Sequence, residues 1–134
     1  YPWHHDKMVH INVQHYVGMF DGGTWNLFAQ VGLTSEWMKN NDRGMAAVQM
    51  NISYRREMTS GDLVEVRSGF LNVSERKVMF VHEMINRQTG DVAAVAEITG
   101  VMLDSVKRKS ALIPQENLER AKELIVEYDF GRRS

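Results

Sequence analysis

The sequence predicts an α+β fold in which a curled antiparallel β-sheet wraps around a long central α-helix and a short C-terminal helix closes the chain. Three observations carry this prediction. Apolar residues recur at helical spacing from Val13 to Val31, strand-like segments bounded by short turns fill the stretch from Ala47 to Asp104, and helical spacing returns after Pro114. A sheet with one apolar face needs a covering layer, and the long first helix is the candidate to supply it.

The first helix is marked by Tyr16, Val17, Phe20, Leu27, Phe28 and Val31, with Gly32 as its C-terminal cap. Gly18, Gly22 and Gly23 each lower its propensity by about 1 kcal/mol relative to alanine, so tertiary burial must hold it together. A short helical turn is expected around Ser35 to Lys39. The period then changes: Val48, Met50, Ile52 and Tyr54 alternate with Ala47, Gln49, Asn51 and Ser53, as in a half-buried strand. Turn-forming residues at 60–62, 74–77 and 88–91 lead into strands at 63–73, 78–86 and 92–104. Such short connections imply antiparallel neighbours. Pro114 suits the first turn of the closing helix, whose apolar stripe is Leu118, Ala121, Leu124 and Ile125.

A chain of 134 residues suits one domain, 1–134, able to bury a core without staples. Its 43% hydrophobic and 25% charged residues are ordinary for a soluble protein, and no apolar run is long enough to cross a bilayer. The net charge of -1 offers no global field for nucleic acid or an acidic membrane, so neither is an expected partner. Cysteine is absent, which excludes disulfides, thiolate ligands and cysteine nucleophiles and fits the reducing cytoplasm. The chain opens on Tyr1 rather than methionine, and a trimmed start or a fragment of something longer is consistent with that.

The stretch from His4 to Phe20 crowds His4, His5, Asp6, His10, Asn12 and His15 just ahead of the helix. A metal site is one reading, but helical zinc sites favour histidines four apart, whereas His10 and His15 are five apart and His4 and His5 adjacent. No metal is expected. The other reading is the mouth of an active site. The spacing Asp6, His10, Asn12, Tyr16 directly before a helix resembles the hotdog-fold acyl-CoA thioesterases of the 4-hydroxybenzoyl-CoA thioesterase type, although Val9 stands where several members have glycine. The resemblance extends over the helix, the four strands, the segment ending in Asp104 and the basic run from Lys107 towards Pro114. It implies that a first strand ends at Asp6, with most of that strand missing.

The resemblance also implies a chemistry. Asp6 acts as nucleophile, forming a mixed anhydride, or as general base towards water, and the backbone N–H of Val13 at the helix start stabilises the oxyanion. His10 and Asn12 would position thioester or water, and Tyr16 would orient Asp6 or line the acyl pocket. Plainer roles compete: Asp6 and Asn12 as helix caps, Tyr16 as core. Arg76, Lys77 and Arg108 are candidates for the phosphates of coenzyme A, against the alternative of solvated turns. Glu57 is a further candidate, with a strand-end salt bridge as its alternative. His82, among Val78, Phe80 and Met84, reads as a hydrogen-bonded core histidine.

Coenzyme A would be part of the substrate, so no cofactor is expected. Hotdog enzymes assemble as dimers or tetramers with the acyl site between subunits, and nine methionines and large apolar strand residues suit such an interface. Trp3, Tyr16 and Trp25 have a packing role or a cation-π role, and the run from Asn12 to Leu33 looks like the thioesterases of carnitine breakdown, whose substrate is betainyl-CoA. The expected acyl group is short or polar. Two other functions fit the same pattern: a hydratase or dehydratase acting on acyl thioesters, and a non-catalytic acyl-CoA-binding module.

Overall fold

Residues 4–5, 9–11, 16–55 and 62–128 are described by a computed structural model, with 4–5, 9–11, 16–22 and 62 described as backbone alone. Two short strands, β1 (His4–His5) and β2 (Val9–Ile11), precede α1 (Tyr16–Ala29). The six-residue helix α2 (Ser35–Asn40) leads into β3 (Arg43–Tyr54), and β4 (Asp62–Val73), β5 (Lys77–Asn86) and β6 (Val92–Asp104) follow in a meander. The short β7 (Lys109–Ser110) and α3 (Gln115–Glu123) complete the order. The sheet is ordered β1-β4-β5-β6-β3, with β2 also on β4 and β7 on β6, and every strand pair is antiparallel.

Alternation along the strands decides which side chains meet α1. Phe70, Phe80, Ile98 and Met50 are cross-strand partners in one row, and Ser68, His82 and Ala96 form the next. Phe28 of α1 stacks on Phe70 with ring centroids 6.2 Å apart and meets Phe80 edge-on at 5.2 Å. Leu27, Phe28 and Val31 are buried with Val64, Val66 and Met84, so the core lies between α1 and the β4–β5–β6 face. The expectation of an apolar helix covering a curled sheet is met.

Two helix boundaries have clear causes. The periodic pattern runs on to Val31, yet α1 ends at Ala29 because Gly32, at φ +82°, terminates it. The N–H of Leu33 donates to the carbonyl of Phe28 at 3.0 Å and that of Gly32 to Ala29 at 3.2 Å, the paired bonds of a Schellman motif. The carbonyl of Val31 accepts from Asn117 Nδ2 of α3 at 2.6 Å. Pro114 is the N-cap of α3 rather than a residue of its first turn, and Leu118 and Ala121 are buried as the stripe requires while Ile125 is exposed.

The edge strand β3 departs from expectation. It begins at Arg43, and Val48 is bulged between the pairs Ala47–Gly100 and Gln49–Thr99. The bulge breaks the alternation, so Met45 and Ala47 share a face with Met50 while Val48 is left 60% exposed. The half-buried face read from Val48, Met50, Ile52 and Tyr54 is therefore largely open, with Tyr54 at 62%.

On the opposite side of β5, Glu83 is fully buried and accepts a hydrogen bond from the Tyr128 hydroxyl at 2.5 Å, with Arg67 Nε at 4.0 Å. The segment carrying Tyr128 is tied to the β4 edge by the bond from Val126 N–H to the Phe70 carbonyl. That edge is thus paired in turn by β2, β1 and the chain after α3.

Gly32→Ala tests the helix stop. A Cβ there meets Asn117 Nδ2 at 2.9 Å and forces a left-handed backbone, so urea unfolding should show a loss of about 1–3 kcal/mol.

Candidate active site

Between α1 and the β3–β6 part of the sheet lies a cavity of about 130 Å³. Thr24, Trp25 and Phe28 form its helical wall, and Met45, Ala47, Met50, Phe80, Ile98 and Gly100 come from the sheet. Gly100 makes room for this arrangement: a Cβ at that position would stand 3.1 Å from Met45 Cγ and Sδ. Trp25 meets Phe28 edge-on at 6.3 Å and is 40% exposed. Among the described residues the lining carries no charged side chain, which suits an uncharged or weakly polar group.

Behind Thr24 lies a polar chain inside the core. Thr24 Oγ1 is 2.9 Å from His82 Nε2, and His82 Nδ1 is 2.5 Å from Ser68 Oγ. Ser68 and His82 are fully buried. Burial lowers the His82 pKa from 6.5 to about 3, so the imidazole is neutral at physiological pH. A neutral imidazole donates from one nitrogen and accepts at the other, which gives the chain a direction. The expectation of a hydrogen-bonded core histidine holds. Its partners went unforeseen, since only the folded register sets Ser68 opposite His82.

The residues proposed from sequence fall into two groups. Asp6, Asn12, Val13 and Glu57 lie outside the described residues, as does Trp3. His10 is in β2, paired with Leu63 of β4, and Tyr16 is the first residue of α1. Asp6 falls in sequence between β1 and β2, both on the β4 edge, and four residues separate the end of β2 at Ile11 from the start of α1 at Tyr16.

The basic candidates gather where β5, β6 and β7 meet. Arg76 Nη1 donates to the Ser110 carbonyl at 3.1 Å and to its hydroxyl at 3.2 Å, tying the β4–β5 turn to β7. Lys77 lines a small surface cavity of about 100 Å³ with Asn72, Val73, Ser74 and Met79. Arg108 is exposed in the β6–β7 turn at φ +58°. Asp104 organises that turn by accepting from the N–H groups of Val106 and Lys107 at 2.9 Å. The Lys107 N–H, aided by that of Val106 and by Arg43, holds the Asp104 carboxyl below the usual carboxylate range.

A curled antiparallel sheet laid against an apolar helix, with a cavity beside that helix, is the architecture of the hotdog fold. The chain belongs to the thioesterase-like superfamily, which it matches over residues 1–121, and is a thioester hydrolase. The long-chain acyl-CoA thioesterase FadM of Escherichia coli (strain K12) is 24% identical over 127 residues, 92% of each chain. Among solved structures, the Staphylococcus aureus protein SAV2348 in complex with CoA superposes with a TM-score of 0.80 at 13% identity, over 98% of this chain and 89% of that one. The DHNA-CoA thioesterase of Staphylococcus aureus gives 0.72 at 12% identity, over 82% and 80%. Among the described residues, no helix is long and apolar enough to cross a membrane.

The buried histidine makes stability depend on pH. Its folded pKa lies below the unfolded value, so its neutral burial is fully tolerated above about pH 6.5 and costs stability as pH falls towards 3, because the unfolded chain gains the proton first. Denaturant unfolding between pH 6 and 4 should show His82→Gln losing stability less steeply than wild type, by up to about 1.4 kcal/mol per pH unit. Equal slopes would show that His82 takes up a proton in the folded state.

Proposed function

We propose that the chain hydrolyses an acyl-CoA to the free acid and CoA, with a short or polar acyl group seated against α1 in the cavity. The observation that carries this reading is the uncharged cavity between Thr24, Trp25 and Phe28 of α1 and the β3–β6 surface, in a chain of a thioester-hydrolysing family. A cavity of about 130 Å³ is close to the roughly 150 Å³ that holds benzene, so it suits an acyl group of about six carbons or fewer rather than a long chain. Aromatic rings of Trp25, Phe28 and Phe80 on the wall also suit a quaternary ammonium group, and betainyl-CoA therefore belongs among the substrates to test.

Asp6 supplies the attack, as nucleophile on the thioester carbon or as base removing a proton from water. The Val13 N–H stabilises the oxyanion, the thiol leaves as CoA, and His10, Asn12 and Tyr16 orient the reacting groups. The chain's own residues suffice for this hydrolysis, with no cofactor. Arg76, Lys77 and Arg108 meet the CoA phosphates; the exposure of Lys77 at the start of β5 and of Arg108 in the β6–β7 turn supports this role, while Arg76 has Ser110 as a competing partner. The absence of cysteine suits a reducing cytoplasm.

Copies of the chain pair through β3, as a dimer or as the unit of a tetramer. This strand is twelve residues long, forms the outer strand of the sheet among the described residues, and presents Val48, Met50 and Tyr54. Such an edge invites pairing with another strand. The cavity beside it would then be completed by the second copy.

Purified protein assayed for thiol release across acyl-CoAs from acetyl to palmitoyl, with betainyl-CoA included, should favour acyl groups of about six carbons or fewer. Asp6→Asn should cut kcat by about 100-fold or more while CoA-ester binding persists. Turnover at the wild-type rate in that variant would remove Asp6 from the mechanism, and enoyl-CoA hydration without thiol release would turn the assignment to a hydratase. Sedimentation should give a dimer or tetramer for the wild type and a smaller species for Val48→Lys; a wild-type monomer would refute pairing through β3.

A further inference from the structure

Gly100 stands in the middle of β6, where the backbone has no need of a glycine. It pairs with Ala47 of β3 on one side and Val78 of β5 on the other, and its φ is not left-handed. A glycine inside a strand weakens it and offers nothing to pack, and it often marks a place where another group comes close to the backbone. Here that group is Met45, whose Cγ and Sδ would each stand 3.1 Å from a Cβ at position 100. Both residues line the cavity beside α1.

The strand register places this contact at one end of the cavity. Along β6, Ala96 is level with His82, Ile98 with Phe80 and Gly100 with Val78. The helix follows the same order, since Thr24 sits over His82 and Phe28 meets Phe80. The start of α1, where the acyl-CoA reading puts the attacking group and the oxyanion donor, therefore lies at the opposite end from Gly100. An acyl group extending from there along α1 reaches Gly100 and Met45 last. In the next row Met102, the partner of Met45, is fully buried and takes no part in the lining.

We propose that Met45, laid across Gly100, is the end wall of the acyl site and the residue that sets how long an acyl group the chain accepts. The proposal rests on the acyl-CoA reading above and names the residue behind its size limit. Ala47 and Gly100 are cross-strand partners and the two smallest residues of the lining, so the floor of their row is bare backbone and one methyl group. The space above that floor is taken by Met45 instead of by side chains of the row itself. Trp25 and Met50 are exposed and belong to the open side of the cavity, whereas Met45 is half-buried. An unbranched thioether fills such a gap well, and a smaller side chain in its place leaves the gap to the substrate. An apolar wall of this kind discriminates by about tenfold or more for each methylene group it admits or rejects.

The test measures thiol release from butyryl-, hexanoyl-, octanoyl- and decanoyl-CoA and compares kcat/KM ratios within each variant, which do not depend on the fraction of enzyme that is folded. Met45→Ala removes about three heavy atoms and should raise the octanoyl-to-butyryl ratio at least about tenfold over wild type. Met45→Val, which suits a strand, should raise it by a smaller factor and carries the test should Met45→Ala fail to fold. Adding Gly100→Ala to Met45→Ala puts back a methyl group that meets Val78 Cγ2 at 3.6 Å, an ordinary contact, and should lower the ratio again by about threefold or more. Melting temperatures verify folding. A ratio unchanged from wild type in Met45→Ala and Met45→Val, or a double variant with the ratio of Met45→Ala, overturns the proposal. Either result with thiol release intact defeats this inference alone. No release from any acyl-CoA, or a wild type that prefers palmitoyl-CoA, defeats the reading on which it rests.

Discussion

Phe28 stands between Phe70 and Phe80, and the placement of everything near the cavity follows from that three-ring contact. A parallel stack at 6.2 Å and an edge-on contact at 5.2 Å fix both the height and the rotation of α1 above the sheet. Each such pair contributes about 0.5–1.5 kcal/mol beyond the area it buries, and moving the helix would lose both together. A helix as apolar as α1 is oriented mainly by the shape of its packing, with the Thr24–His82 bond as a polar addition. With Phe28 seated, Thr24 lies one turn earlier, over His82, and Trp25 falls on the side facing β3.

The C-terminal end of α1 is held with equal care. Gly32 reverses the chain and Asn117 takes the Val31 carbonyl, so α3 is fastened to the helix through a buried amide as well as through Leu118 and Ala121. From α3 the chain continues to the β4 edge and to Glu83, covering one side of the sheet. The two edges therefore differ. That of β4 is paired piecemeal by three short segments, while β3 presents a bulged strand with apolar side chains beside the cavity. Among the described residues, the sheet thus satisfies one edge internally and leaves the other beside the cavity.

Local signals in the sequence are read out faithfully where the structure is itself local. The periodicity of α1, the Gly32 stop, the turns at 74–77 and 88–91 and the Leu118–Ala121 stripe depend on neighbouring residues alone, and each is found. Bulges defeat the same reasoning. From Val73 opposite Val78, a regular register would set Gly69 opposite His82, but the irregularity between Phe70 and Asn72 brings Ser68 there instead. The bulge at Val48 likewise moves Ala47 onto the cavity side, against the strict alternation that the residues themselves suggest. One added residue in a ladder exchanges the two faces of a strand, and nothing in the composition of either segment announces it. Of the candidate site, His82 was legible because a lone histidine among Val78, Phe80 and Met84 needs partners; Thr24 and Ser68 were not, because their role exists only once the register and the helix position are set. The part of the site built on Asp6, Asn12 and Val13 rests on their spacing before α1.

The buried chain from Ser68 to Thr24 makes the core itself sensitive to acid. A neutral imidazole in the core weakens the folded state as soon as acid favours its charged form, and the rows on either side show that apolar side chains fit this face. What the ring adds is a tie: through Thr24 on one nitrogen and Ser68 on the other it links α1 to β4 and β5 by hydrogen bonds within a core otherwise joined by apolar packing. A charged imidazole can no longer accept at either nitrogen, so the proton that weakens the core also removes an acceptor from the tie that holds α1.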